Sequence, residues 1–359
     1  SKPSIKESEH YFFKLNELSG YLSSKVDELS NQSPIKHKLK EWLDGELKDW
    51  DVSRDEPYFG FKVPGEENKY IYVWMDAPVG YLSSIKNWCD KNKYDYEKLL
   101  SDKDTKLVHF IGKDIVYFHL LFWPAMLHAA DIENIEEVFV HGFLTIEGMK
   151  MSKSRGNFIL ADKALEYANA DFYRYYLSSK LNTDISDINF SVDDFVQKIN
   201  SDLIGKYINI ASRTQNFLTK HNNSEVKQNC QNETNKYKDL YAEIIGQTND
   251  REYSKALKNI MSIADEANSY ISSMEPWSKA KDGDIDSCIE ICSESLNLFK
   301  DLTILLSPYI PNITESLFEL LNLKQTDYDQ ISKDCLTEVK PFKAIITRLE
   351  KSEFEGILN

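Results

Sequence analysis

A short loop bounded by two glycines carries the three cations Lys150, Lys153 and Arg155. The bounding residues, Gly148 and Gly156, tolerate backbone angles that other residues avoid. A lysine ammonium is a compact charge on a flexible stem, so it can follow a phosphate through a reaction. Because the loop lacks the GxxxxGK[ST] spacing of a P-loop, a moving contact to a polyphosphate is favoured over a fixed cradle. The alternative is an ordinary solvated basic turn.

A second group of residues predicts an apolar pocket with aromatic walls and one polar tip. Two of its members, Ile115 and His119, lie one helical turn apart and share a face. Aromatic edges in such a pocket pack favourably with thioether sulfur, by roughly 0.3–1.5 kcal/mol. The alternative is that the aromatic members belong to the core. The group comprises Trp74, Ala77, Pro78, Tyr81, Ile115 and His119.

The elements that must position these residues alternate between short apolar runs and longer amphipathic segments. The runs at 70–75, 107–112 and 138–140 predict strands of a parallel sheet in an α/β fold. Ligands of such sheets bind at the carboxyl ends of the strands. Asp114 follows the second run, where it either caps a helix or accepts hydrogen bonds from a ribose. His141 follows the third run, whereas His109 is interpreted as structural.

From Val192 onward the pattern becomes helical and predicts a bundle, with helices at 233–246, 253–273 and 286–306. A polar stripe lies on one face of the helical segment that precedes these three. Such stripes are usually only solvated faces. Splayed RNA bases could nevertheless hydrogen-bond to its amide and guanidinium groups and stack on an aromatic ring such as that of Trp277, which follows much later in the chain. The stripe consists of Lys206, Asn209, Arg213, Asn216 and Lys220.

Composition limits the function classes. The 359 residues, 42% of them hydrophobic, predict two or three domains. The net charge of −15 argues against general nucleic-acid binding and against DNA, although a local basic track could bind one shaped RNA. Five scattered cysteines predict reduced thiols and no zinc site, because Cys288 and Cys292 lack further ligands nearby. No apolar run approaches a membrane span, and no signal peptide is visible, so a cytoplasmic protein is expected.

The lysine loop and two other segments resemble methionyl-tRNA synthetases, which are class I aminoacyl-tRNA synthetases. The segments are Lys-Met-Ser-Lys-Ser at 150–154, Tyr-Val-Trp-Met-Asp-Ala-Pro at 72–78 and His-Phe-Ile-Gly-Lys-Asp at 109–114. Leucyl, isoleucyl and valyl relatives share the lysine loop and a helical anticodon domain, but not the Trp-Met-Asp-Ala-Pro wall. The similarity extends from Ser8 to beyond Trp277.

The resemblance implies ATP-dependent attachment of L-methionine to tRNA(Met) through methionyl-adenylate, with Mg²⁺ bound to ATP. It assigns catalysis to Lys150, Ser152 and Lys153, and ATP binding to Gly112, Asp114, His141 and Lys153. It assigns methionine binding to Trp74, Ala77, Pro78, Tyr81, Ile115 and His119, with Arg54 in support. It assigns anticodon binding to Asn209, Arg213 and Trp277.

The chain also departs from the family, because it contains neither a HIGH-type tetrapeptide nor the zinc knuckles of the connective domain. We therefore expect the latter part of a synthetase, inactive in isolation. The expected domains are the end of a connective-peptide insertion (1–68), the second half of a Rossmann-type catalytic domain (69–146), the KMSKS loop with a stem-contact region (147–192) and a helical-bundle anticodon-binding domain (193–359). The alternatives are a catalytically inactive tRNA-binding relative and another nucleotidyltransferase with a mobile lysine loop.

Overall fold

A computed structural model describes residues 7–45, 47–132, 137–152, 156–228, 230–324, 327–333 and 335–357. The chain divides into two compact units, Ser1–Gly142 and Phe143–Asn359. The first unit combines short helices with paired strands. The second begins with a small sheet and continues as a helical bundle.

The first unit contains six strands and six α-helices in its described residues. Proline in the first turn helps to start two of the helices, since its missing N–H is not needed there. Asp95 caps another by accepting a hydrogen bond from the Lys98 N–H. In chain order the elements are β1 (Phe12–Phe13), α1 (Ser19–Leu29), α2 (Ser33–Asp44), β2 (Trp50–Asp51), β3 (Ser53–Asp55), β4 (Lys69–Ile71), α3 (Val73–Asp76), α4 (Val79–Asn92), α5 (Tyr96–Ser101), β5 (Val108–Gly112), α6 (Trp123–Ala129) and β6 (Glu137–His141).

The predicted strand at 70–75 is wrong in its length and in its partner. Strand β4 ends at Ile71 and pairs with β3 in antiparallel fashion, as a hairpin. Just after β4, the Tyr72 N–H donates a backbone hydrogen bond to the Val52 carbonyl at 2.8 Å. The chain then turns into α3. Alternating aromatic and β-branched residues favour a strand locally, but strand propensity depends on having a neighbour to pair with.

The other two predicted strands are confirmed as a parallel pair. Strands β5 and β6 pair from Val108–Glu137 to Gly112–His141. The side-chain carboxamide of Gln32 hydrogen-bonds to the backbone of β6 at a position where a further strand could pair. It accepts a hydrogen bond from the Val140 N–H at 2.8 Å and donates one to the Val140 carbonyl at 2.7 Å.

The second unit starts with a three-stranded sheet in which β7 lies between β8 and β9. Strand β8 pairs with β7 antiparallel, and β9 pairs with it parallel. These strands are β7 (Leu144–Ile146), β8 (Met149–Lys150) and β9 (Ile188–Phe190). The helices are α7 (Ala161–Tyr167), α8 (Ala170–Ser178), α9 (Val192–Lys198), α10 (Asn209–His221), α11 (Asn232–Asn235), α12 (Lys238–Asn249), α13 (Tyr253–Met274), α14 (Pro276–Lys281), α15 (Ile285–Leu306) and α16 (Pro311–Leu320).

Helix α15 forms the centre of the bundle and is buried on all sides from Ile291 onward. It packs against α10, α13 and α14. A π-helical stretch at Ile199–Ile208 joins α9 to α10 without a break in the helical chain. The predicted helical second part is therefore confirmed. The predicted helix at 233–246 is divided into α11 and α12.

Candidate functional site

The polar tip of the predicted pocket is a hydrogen bond between Tyr81 and His119, which connects α4 to the π-helical stretch Phe118–Phe122. The Tyr81 hydroxyl lies 2.8 Å from Nε2 of His119, and Nδ1 of His119 lies 3.0 Å from the Ile115 carbonyl. A carbonyl only accepts, so Nδ1 carries the imidazole proton. In the neutral ring Nε2 is then an acceptor, and the tyrosine hydroxyl donates to it.

Burial keeps this histidine neutral. His119 is fully buried, and loss of hydration lowers its pKa below the usual 6.5. Burial likewise raises the pKa of Tyr81, although its side chain retains 38% exposure. The pair therefore presents an uncharged polar tip at neutral pH, and the exposed part of the tyrosine makes it accessible to a ligand.

Aromatic rings surround this pair, as predicted, but two of them were not named from the sequence. Trp74 stacks on Phe118 with 4.1 Å between ring centroids and an interplanar angle of 7°. It also meets the edge of His119 at 5.8 Å. Trp123 lies 6.3 Å from Tyr81 and has a buried indole nitrogen without a hydrogen-bond partner among the described residues. The aromatic residues at 117, 118, 122 and 123 were the available signal for this wall.

His109 belongs to the same cluster, although the sequence favoured a structural role. Its ring centroid lies 5.0 Å from that of Tyr81 and 5.8 Å from that of His119. Burial, with a smaller contribution from the charge of His119, lowers its pKa to about 4. Its buried Nε2 has no hydrogen-bond partner among the described residues.

The remaining residues that are predicted to bind methionine lie on the elements next to the Tyr81–His119 pair. Pro78 is buried at the start of α4, Ala77 is exposed, and Ile115 receives the His119 hydrogen bond. Arg54 lies at some distance along the chain in β3. Its guanidinium stacks on Tyr72 at 3.9 Å and pairs with Asp51 at 3.2 Å. These contacts support the segment that leads into α3.

The residues of the first unit that are predicted to bind ATP lie together at the carboxyl ends of β5 and β6. Gly112 and His141 are partners across the parallel pair. A Cβ on Gly112 would lie 2.7 Å from an Asp114 carboxylate oxygen and 3.9 Å from the His141 ring. Only glycine leaves room here for the aspartate beside the strand end. Asp114 is exposed in the 3₁₀ turn Lys113–Ile115, so its carboxylate is accessible.

The lysine loop follows a hairpin of β7 and β8 in the second unit. Gly148 and Gly156 have φ values of +76° and +71°, which are strained for residues with a side chain. The ammonium of Lys150 lies 4.0 Å from the centroid of the Phe143 ring, a cation–π contact that the sequence did not suggest. Lys153, the second predicted catalytic lysine, lies outside the described residues.

The predicted anticodon residues meet at one end of the bundle. The Arg213 guanidinium on α10 lies 5.2 Å from the ring of Trp277 on α14, which is 40% exposed. Arg213 also donates to the Asn268 carbonyl at 3.3 Å and to the Ser272 hydroxyl at 3.0 Å. Asn209 donates to the Asn268 side chain at 2.8 Å. The contacts with α13 were not predicted, because they join residues more than fifty positions apart.

Three further observations concern the described part of the chain. No three His, Cys, Asp or Glu side chains come together there as a metal site. Its five cysteines are all free thiols. None of its helices combines the length and the apolar character needed to cross a membrane.

Comparison with known proteins identifies the family. Residues 1–215 match the family model of class I tRNA synthetases (M), and residues 221–350 match the anticodon-binding domain of methionyl-tRNA ligase. The chain is similar to methionyl-tRNA synthetase of Mycobacterium tuberculosis bound by methionyl-adenylate, with 25% identity and a TM-score of 0.82 over 95% of this chain and 69% of that chain. A second structure of that protein with methionyl-adenylate gives 25% identity and a TM-score of 0.79, over 96% of this chain and 69% of that chain. Since the first model covers more than half of the residues and the second covers most of the remainder, the chain belongs to the class I tRNA synthetases of the methionyl type.

Proposed function

We propose that the protein attaches L-methionine to tRNA(Met) in two steps, with methionyl-adenylate as the intermediate. ATP first activates the amino acid, and the activated methionine is then transferred to tRNA. The observation that carries the proposal is the Tyr81–His119 pair inside an aromatic wall, in a chain of the methionyl family. This pocket is apolar and uncharged, as a thioether side chain requires.

In this proposal Trp74, Tyr81 and His119 contact the methionine side chain. Ala77, Pro78 and Ile115 complete the pocket, and Arg54 supports it through Tyr72. The fixed His119 tautomer leaves the pocket without a charge, so a cationic or anionic side chain would lose its hydration without a counter-ion. Discrimination against charged amino acids follows from that desolvation cost.

ATP binds at the carboxyl ends of β5 and β6 in this proposal. Gly112 lets the nucleotide approach the strand end, the Asp114 carboxylate accepts hydrogen bonds from the ribose, and His141 borders the site. Lys150, Ser152 and Lys153 contact the phosphates and stabilise the charge that develops as the methionine carboxylate attacks the α-phosphate. Mg²⁺ enters with ATP as part of the substrate. No protein nucleophile is required.

The tRNA is recognised at its anticodon by Asn209, Arg213 and Trp277. Hydrogen bonds that the Arg213 guanidinium donates to α13 orient it beside an indole face that remains accessible. This arrangement offers stacking and base-edge hydrogen bonding together. The proposed division of labour assigns 1–68 to a connective-peptide insertion, 69–146 to catalysis, 147–192 to the lysine loop and stem contacts, and 193–359 to the anticodon. We propose a cytoplasmic location, where ATP and tRNA are available.

The test measures methionine-dependent exchange of pyrophosphate into ATP by the full-length protein. Methionine should support exchange, whereas leucine, isoleucine and valine should not, and tRNA(Met) should then become charged. Trp74→Ala should raise the KM for methionine, and Lys150→Ala should lower kcat, by ~10²–10³-fold for a lost transition-state donor. Binding of tRNA(Met) without any methionine-dependent exchange would contradict the proposal and favour a tRNA-binding relative of the synthetases.

A further inference from the structure

A buried asparagine bridges two backbone groups of the lysine loop. Asn157 is only 9% exposed. Its side-chain carbonyl oxygen accepts a hydrogen bond from the Ser152 N–H at 3.0 Å, and its side-chain NH₂ group donates one to the Lys150 carbonyl at 3.0 Å. One carboxamide therefore satisfies both a donor and an acceptor of the segment that carries the predicted phosphate-binding residues.

The bridge begins where the strand pairing stops. Strand β8 ends at Lys150, whose partner across the hairpin is Thr145. Beyond that point no further residue of the loop is paired with β7 in the described part of the hairpin. The Asn157 carboxamide supplies the next two hydrogen bonds, so it extends the order of the hairpin by two residues.

An apolar cavity lies beside this segment. Met151, between the two bridged residues, lines this cavity of about 290 Å³ together with Ile146 and Ile159. Atoms that face a cavity lack van der Waals partners on that side. The two directional hydrogen bonds to Asn157 therefore constrain the backbone of Lys150 and Ser152 next to a residue whose own packing is incomplete.

We propose that Asn157 is a positioning residue for the adenylation step. It acts through the backbone of Lys150 and Ser152, and it touches neither ATP nor methionine itself. The Lys150 side chain is flexible but has a fixed length. The position of its Cα atom therefore limits which phosphate oxygens its ammonium can reach. This inference rests on the proposed function, because it concerns the same loop.

The test compares Asn157→Ala with Asn169→Ala in the full-length protein. Asn169 is a matched control in the same unit, since its side chain also accepts a backbone hydrogen bond, from the Asp171 N–H at 2.9 Å, but does so at the start of α8. The amount of methionyl-adenylate formed per enzyme in one turnover gives the fraction of folded active sites. Hydrogen exchange of the Ser152 amide, measured without substrates, reports the bridge directly.

Asn157→Ala should lower the rate of adenylate formation per active site by ~10–100-fold while the KM for methionine stays within about twofold, as expected for misplacement of a transition-state group. The Ser152 amide should exchange at least ~10-fold faster. Asn169→Ala should change neither quantity. Asn157→Asp retains the size and the acceptor for Ser152 but loses the donor to Lys150, so it should fold and still lose rate.

The proposed function and the positioning role of Asn157 are distinguished by different outcomes. If the unmodified protein shows no methionine-dependent exchange, the proposed function is wrong, and the Ser152 amide measurement still tests the bridge. If the unmodified protein is active and Asn157→Ala retains its full rate per active site, or loses rate equally with Asn169→Ala, the positioning role is overturned.

Discussion

The Tyr81 hydroxyl is the sole donor that the described residues offer to Nε2 of the buried His119. Tyr81→Phe keeps the ring but leaves that nitrogen without a partner, at a cost of ~1–3 kcal/mol. In the free protein water can enter the open pocket and replace the lost hydroxyl, whereas bound methionine excludes that water. We therefore expect the Kd for methionine to rise by roughly 5- to 150-fold, with the Kd for ATP unchanged. Calorimetric titration of each ligand measures both constants.

Tyr94→Phe is the matched control for this prediction. Tyr94 is exposed and stacks on Trp88 at 4.8 Å, away from the His119 ring. It should bind methionine as the unmodified protein does. Equal weakening of methionine and ATP binding by Tyr81→Phe would mean that this tyrosine supports the unit as a whole rather than the methionine pocket.

At this scale the sequence placed Tyr81 and His119 in one predicted pocket, but it did not predict the contact between them or their surroundings. Each residue lies a few positions after a segment that resembles the family, and the structure joins the two by a hydrogen bond. Phe118 and His109 were missed as pocket neighbours because these ring contacts depend on how α3 packs against the stretch Phe118–Phe122 and how α4 packs against β5. Residue spacing along one chain contains no information about that packing.

At the scale of elements, the contact between Arg213 of α10 and Trp277 of α14 leads to a prediction about anticodon binding. Trp277→Ala should weaken binding of tRNA(Met) by the ~1–3 kcal/mol of one stacked base. Because stacking releases no counter-ion, the slope of log K against log salt should stay the same. Arg213 should remain oriented in this variant, since Asn268 and Ser272 still accept its hydrogen bonds.

Two comparisons isolate the tryptophan. Trp88→Ala removes an exposed tryptophan from the first unit and should leave tRNA binding unchanged. Lys220→Ala, at the exposed end of α10, should instead flatten the salt slope and weaken all tRNAs alike. If Trp277→Ala weakens matched and mismatched anticodons to the same extent, the ring contributes to the bundle rather than to base recognition.

Helical periodicity predicts which residues share a face of a helix, but not which other elements that face contacts. The polar stripe runs from the π-helical stretch into α10 along one face of the continuous helix. The side chains that it contacts on α13 were not predicted. Lys206 pairs with Asp265 of α13 at 2.6 Å, and Asn209 bonds to Asn268 of the same helix. Part of the stripe is therefore an interface between helices. Similarly, the run at 70–75 looked like a strand because only tertiary pairing decides where β4 ends.

For the molecule as a whole, the buried histidines predict how the stability of the first unit depends on pH. The pKa of His109 falls from 6.5 to about 4 on folding, and that of His119 is also lowered. Below pH 6.5 the unfolded chain therefore binds protons that the folded chain does not. The free energy of unfolding should decrease as pH falls from 6.5 to about 4, by roughly 3 kcal/mol for His109 alone.

Urea unfolding at several pH values, followed by tryptophan fluorescence, measures this dependence. His109→Phe keeps an aromatic ring against Tyr81 and His119 but removes the titrating group and the unpaired Nε2. It should flatten the pH dependence without destabilising the protein at pH 7. An unchanged pH dependence in this variant would show that His109 is hydrated in solution.

The Gln32 carboxamide on β6 has a consequence for the behaviour of the protein at high concentration. An uncovered strand edge invites a neighbouring molecule to add its own strand, which is a common route to aggregation. Here a single side chain, which a mutation can remove without altering the strand, occupies both backbone groups of Val140. We therefore expect the loss of this glutamine, which takes no part in the proposed chemistry, to lower the solubility of the protein.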